Sequence, residues 1–234
     1  MAKIIVNGGK ELSGTIKISG SKNAALPIMT ASLLTEGDLE LSNVPHLSDV
    51  TIMRELLQSL GTNISLNKNL RSLKLSTNAI SNYTADYEIV RKMRASIIVL
   101  GPILARSKIA KVALPGGCSI GSRPIDLHLK GMEAMGAKIY MDGGYVFAEA
   151  VNGLRGAEIK FPIVSVGATE NIILAATLAD GKTTIFNAAR EPEIVDLCRC
   201  LQKMGANIKG AGTEIITIKG VPKLKGTCHS VIAD

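Results

Sequence analysis

The sequence repeats itself three times, and this constrains the fold more than any other feature. Arg54-Glu55-Leu56-Leu57-Gln58-Ser59-Leu60-Gly61, Lys130-Gly131-Met132-Glu133-Ala134-Met135-Gly136 and Arg199-Cys200-Leu201-Gln202-Lys203-Met204-Gly205 share one pattern. Each reads as an amphipathic helix that stops at a glycine suited to the left-handed C-cap, and each runs on into a strand. The three glycines lie some seventy residues apart. The repeat is therefore a domain-scale unit and not the short period of a solenoid.

A second kind of helix precedes each of these. Residues 23–34, 95–105 and 167–179 are apolar on nearly every face and rich in Ala, Gly, Ser and Thr. A helix that is apolar all round is buried all round, and small side chains let such helices approach closely. Short alternating stretches at 15–19, 38–41, 70–75, 111–114, 183–186 and 214–218 supply strands. Residues 138–141 and 145–148 flank Asp142-Gly143-Gly144, a hairpin signal. The predicted fold is α/β (α+β): a βαβαββ unit repeated three times, with buried helices packed together and sheets outside them.

Aromatic residues are only 3% of the chain and Trp is absent, so the core is aliphatic and offers little for base stacking. The net charge is +7, but the basic residues are scattered. That balance suits a small anionic ligand as well as a polymer, and no nucleic-acid partner is expected. The longest apolar run, between Arg94 and Arg106, is too short to span a bilayer, so no membrane partner is expected. The N-terminus lacks a signal-peptide stretch. Cys118, Cys198, Cys200 and Cys228 show neither metal-ligand nor paired disulfide spacing. These features predict a soluble cytoplasmic protein with no metal and no cofactor.

The strongest chemical candidate is the loop Leu114-Pro115-Gly116-Gly117-Cys118-Ser119-Ile120-Gly121-Ser122-Arg123. Its glycines expose backbone amides, and a nearby cation such as Arg123 favours a thiolate. Cys118 is then a nucleophile or a proton donor; the bland reading is a buried cysteine on a strand-to-helix turn. The glycine spacing fits neither a P-loop nor a dinucleotide fingerprint. Gly20-Ser21-Lys22-Asn23 opens the first buried helix, where free N–H groups and Lys22 suit a phosphate. Arg94 opens the second buried helix, and Val164-Ser165-Val166-Gly167-Ala168-Thr169-Glu170-Asn171 the third. If the three helices lie roughly parallel, their N-termini converge on one anion-binding face. The plain alternatives are capping by Ser21, Asn23 or Ser165 and solvated charges at Lys22 and Arg94. Glu191 and Glu193 read as favourable charges at a helix start.

Ser21-Lys22-Asn23-Ala24, Met93-Arg94-Ala95-Ser96, the Pro-Gly-Gly-Cys loop with Arg123-Pro124, Ser165 to Asn171 and Ala189-Arg190-Glu191-Pro192-Glu193 together resemble the UDP-N-acetylglucosamine enolpyruvyl transferases, in order and over the full length. The cysteine loop separates them from the shikimate-pathway enolpyruvyl transferases of the same fold. The resemblance implies an inside-out α/β barrel of three βαβαββ units with buried central helices, spanning 22–230. It assigns 1–21 and 231–234 to a second domain, the rest of which is missing, since the family chain is nearly twice as long. It implies phosphoenolpyruvate and UDP-N-acetylglucosamine as substrates. Lys22 resembles the phosphoenolpyruvate contact, with Asn23 beside it; Arg94 resembles an arginine near the substrates; Arg123 resembles a phosphate binder. Pro124, Ile125, Asp126, Leu127 and His128 resemble the stretch that holds the uridine nucleotide, with Ile163, Val164, Ser165, Val166 and Gly167 as the second. Ile163 stands where some relatives carry lysine, Ile98 where some carry a bulky aromatic, and Asp234 matches a family acid. Cys118 resembles the catalytic acid or covalent nucleophile. The length leaves open a nucleotide-sugar-binding half without catalysis, and the shared fold leaves open the shikimate-pathway reaction.

Overall fold

The computed structural model describes residues 3–67, 71–115 and 125–234. Among these residues three four-stranded sheets surround a set of packed helices, and the three sheets have the same order. In the third unit, β8 (Glu158–Lys160) leads through α6 (Val166–Ala176) to β9 (Lys182–Phe186), then through α7 (Pro192–Lys203) to the pair β10 (Asn207–Lys209) and β11 (Ile215–Lys219). The sheet runs β10-β11-β9-β8; β8 and β9 are parallel, and the other neighbours antiparallel. The second unit repeats this with β4 (Thr84–Ala85), β5 (Ile109–Ala113), α5 (Asp126–Ala134), β6 (Lys138–Asp142) and β7 (Tyr145–Glu149). Between β4 and β5 the chain forms a short helix, α3 (Tyr87–Val90), then a 3-10 stretch (Arg94–Val99) continuing into α4 (Leu100–Ser107).

The first unit departs from the expectation in one respect. It has α1 (Lys22–Thr30), extended by a 3-10 turn (Ala31–Leu34), then β1 (Leu39–Ser42), α2 (Ser48–Ser59), β2 (Asn63–Asn67) and β3 (Ser72–Ser76). Its leading strand is not 15–19. That slot, parallel to β1, is filled by β12 (Thr227–Ser230) from the far end of the chain. Residues 3–19 run outside the sheets with Ile4, Ile5, Val6, Leu12, Ile16 and Ile18 exposed. The alternation at 15–19 is real, but a strand needs a neighbour to take up its N–H and C=O groups, and β12 already occupies the only vacant side of β1. Regular pairing begins at Gly20, which bridges Ala233 in antiparallel sense, and at Ser19, whose carbonyl accepts from the Asp234 N–H at 3.0 Å.

The helices sort as their patterns require. All of Ala168–Ala176 in α6 is buried, as are Ala24–Thr30 in α1 and Leu100–Leu104 in α4. By contrast α2 buries only Val50, Met53, Leu56 and Leu57, one stripe of its surface. The repeat glycines Gly61, Gly136 and Gly205 take φ of 107°, 92° and 103°, the left-handed turn predicted for them. Gly143 and Gly144, at φ 53° and 80°, make the β6–β7 turn. Close helix packing shows at Gly131, where a Cβ would clash with the Ile172 side chain, and at Gly101, where it would clash with Asn171. Cys198 and Cys200 lie in the core, where burial pushes both thiols up to about 12, so neither is a ready nucleophile. Among the described residues no helix is long and apolar enough to cross a membrane.

Candidate functional site

The starts of the three buried helical segments do meet. Asn23, Leu26 and Pro27 from α1, Arg94, Ala95, Ile97 and Ile98 from the 3-10 stretch, and Ser165, Val166 and Gly167 from α6 line one cavity of about 530 Å³. Pro115, Ile125, His128, Val164, Glu170 and Glu193 complete its wall. The α6 terminus is built as a cap: Ser165 Oγ accepts from the Ala168 N–H at 3.3 Å, and Thr169 Oγ1 donates to the Ser165 carbonyl at 2.7 Å. Ser21 makes no such cap bond. Pro27 has no N–H to give the Asn23 carbonyl four residues back, so α1 carries an irregular backbone bond pattern beside the cavity.

A buried amide fixes the state of His128. Asn171 Oδ1 accepts from the Gly101 N–H at 2.8 Å, so its Nδ2 is the donor; it donates to the Ile97 carbonyl at 3.0 Å and faces His128 Nδ1 at 3.0 Å. Nδ1 must therefore accept, and the ring proton sits on Nε2. Burial lowers the His128 pKa to about 4, outweighing the attraction of Asp126. His128 is thus a neutral imidazole at the cavity wall, with an N–H available to an acceptor. Glu170 is shifted the other way: burial, then the carboxyls of Glu193 and Glu191, raise its pKa well above the ordinary range.

The remaining expected residues scatter. Lys22 opens α1, but its ammonium pairs with Asp49 Oδ2 at 3.0 Å and is not part of the cavity wall. Asp126 faces Lys130 at 3.7 Å, Leu127 is buried in the core, and Ile163 is exposed outside the cavity. Cys118, Arg123 and Pro124 lie outside the described residues. Two wall residues have no individual ligand role in the sequence reading: Glu170 lies inside the candidate segment 164–171 that opens an apolar helix, and Glu193 reads as a helix-dipole partner. A second concavity, of about 610 Å³, lies on the open face of the first sheet against Glu40, Lys74 and Cys228. It has no helix terminus, and Lys74 there is already paired with Asp38 at 2.7 Å. Among the described residues no group of His, Cys, Asp or Glu gathers to hold a metal ion.

Residues 6–234 match the family model described as EPSP synthase (3-phosphoshikimate 1-carboxyvinyltransferase). The chain belongs to this enolpyruvyl transferase family. It is 57% identical, over 234 residues, to a protein of Dinoroseobacter shibae named UDP-N-acetylglucosamine 1-carboxyvinyltransferase, covering all of this chain and 56% of that one. A protein of the same name from Rhodospirillum centenum is 56% identical, with the same coverage. The chain thus spans about half the length of the curated relatives it matches. Among solved structures, the enolpyruvyl transferase NikO from Streptomyces tendae superposes with a TM-score of 0.81 at 20% identity, over 97% of this chain and 53% of that one. EPSP synthase from Acinetobacter baumannii superposes with a TM-score of 0.75 at 21% identity, over 94% of this chain and 50% of that one. These likenesses support the enolpyruvyl transferase fold, helices inside and sheets outside.

Proposed function

We propose that this chain is the N-terminal half of a UDP-N-acetylglucosamine 1-carboxyvinyltransferase, a cytoplasmic enzyme of peptidoglycan precursor synthesis. The observation that carries the reading is the 57% identity along all 234 residues to a protein of that name. The cavity agrees with it: a capped helix start, a neutral His128 with an N–H to offer, and Arg94 suit the phosphates of a nucleotide sugar. Residues 22–230 make one domain in this reading, while 1–21 and 231–234 belong to a second; the exposed apolar side chains of 3–19 fit a segment that pairs with other chain. The partners are phosphoenolpyruvate, UDP-N-acetylglucosamine and that second domain.

In the reaction, the sugar 3-hydroxyl attacks C2 of phosphoenolpyruvate while C3 takes a proton; the tetrahedral intermediate then loses phosphate and a C3 proton. Cys118 serves as the acid or forms an adduct with the substrate. Lys22, once released from Asp49, and Arg123 offset the charge on phosphate and carboxylate. The half-length chain also favours a second reading, a nucleotide-sugar-binding half without catalysis.

The test is phosphate release from the two substrates together, by the chain alone and after adding the remaining residues of the Dinoroseobacter shibae relative as a separate chain. Release that needs both chains and both substrates is the expected result. No release from the folded mixture would overturn the enzyme reading, and full turnover by the chain alone would overturn the half-enzyme reading.

A further inference from the structure

Glu170 belongs to the cavity wall, yet no step of the reaction uses it. It is 4% exposed, it lines the cavity, and its carboxyl makes no hydrogen bond to any described residue. Helix geometry sets its direction. At about 100° per residue, Gly167 and Asn171 share the face of α6 that meets His128. Thr169 points to the other flank, where its Oγ1 accepts from the Ala189 N–H at 3.1 Å. Glu170 falls between these faces, toward the cavity. The backbone held by Thr169 leads to Glu193, which lines the same wall, and to Glu191, whose charge acts on Glu170 and whose Oε2 is buried without a partner among the described residues.

This wall differs from the rest of the cavity. Its neighbouring carboxylates repel phosphate. Burial and these neighbours favour the protonated form of the Glu170 carboxyl, which carries one O–H donor and one carbonyl acceptor. A hydroxyl, also donor and acceptor, matches that pair; a phosphate, which only accepts, does not. The donors that suit phosphate are His128 Nε2 and the first turn of α6. We propose that Glu170 is a specificity residue that hydrogen-bonds a ring hydroxyl of the sugar in a bound nucleotide sugar whose phosphates lie toward His128 and the start of α6. The proposal rests on the nucleotide-sugar reading of the cavity.

Isothermal titration of the 234-residue chain at pH 7 with UDP and with UDP-N-acetylglucosamine tests it, using Glu170→Gln, which keeps a donor and an acceptor, and Glu170→Leu, which keeps neither. The wild-type chain should prefer the sugar nucleotide. In Glu170→Leu the ratio of the two affinities should fall about tenfold, equivalent to about 1.4 kcal/mol, while in Glu170→Gln it stays within about twofold. An unchanged ratio in Glu170→Leu, or equal weakening of both ligands, would overturn the proposal in favour of a scaffold role. Wild-type binding of UDP with no preference for the sugar would sink the role of Glu170 alone. Binding of neither ligand would remove the nucleotide-sugar reading of the cavity and this proposal with it.

Discussion

His128 and Glu170 line the same cavity but pull stability in opposite directions with pH. The folded pKa of His128, about 4, lies below its ordinary 6.5. The unfolded chain therefore binds the proton first, and this contribution is complete above pH 6.5 and lost as pH falls toward 4, about 3 kcal/mol in all. Glu170 has a folded pKa raised above its ordinary 4.5; its contribution is complete below that value and lost as pH rises through the raised one. Glu170→Gln should therefore be more stable than wild type at pH 7 and equal to it near pH 4, read by urea denaturation at both values. Asn171 is the other sensitive residue. Replacing it by Leu removes the acceptor of the buried Gly101 N–H and one of the two donors to the Ile97 carbonyl, which keeps the Leu100 N–H, and should cost about 2 kcal/mol by the same measurement. Cys118→Ser, assayed in the two-chain mixture, should slow phosphate release at least about 100-fold if the thiol acts as the acid; an unchanged rate would exclude it. At this scale the sequence was legible where a residue type is rare in its setting, as with Ser165 before an apolar helix. It was silent where partners come from elsewhere: nothing near Lys22 announces Asp49, and nothing near Glu170 announces Glu191 and Glu193.

The repeated helix ends give a graded series at the scale of elements. Gly61, Gly136 and Gly205 share a positive φ, so alanine is strained at each by about 1 kcal/mol. Around Gly136 and Gly205 an added methyl meets open space, whereas at Gly61 it meets the Ser81 nitrogen and the Ala79 carbonyl at 2.9 Å. Thermal melts should therefore rank Gly61→Ala as clearly the most damaging, with the other two similar. Helices and most strands could be read from sequence because their signals are local: an apolar helix has one place to go, and Gly143-Gly144 has one common turn. The buried segments at 23–34 and 95–105 are broken by 3-10 turns, which no local pattern marked, since a 3-10 turn uses the same apolar residues.

For the whole molecule, the strand that completes the first sheet is the part the sequence hid. Residues 15–19 (Thr-Ile-Lys-Ile-Ser) alternate and 227–230 (Thr-Cys-His-Ser) do not, yet it is 227–230 that pair with β1. His229 at the end of the chain adds a buried tie, its Nε2 2.9 Å from Asp196 Oδ1 on α7, while Asp196 Oδ2 accepts from the Ile232 N–H at 3.1 Å. A chain ending at Gly226 loses both the strand and the tie. Hydrogen exchange should then report open amides in β1 and β3 together with a lower melting temperature, whereas deleting 3–18 should leave those amides protected. Because β12 closes a sheet begun near residue 39, a nascent chain leaving the ribosome cannot finish this domain in order of synthesis. The first unit must wait, with one edge open, while both later units are translated, and its window for mispairing or chaperone capture lasts until residue 230 has emerged.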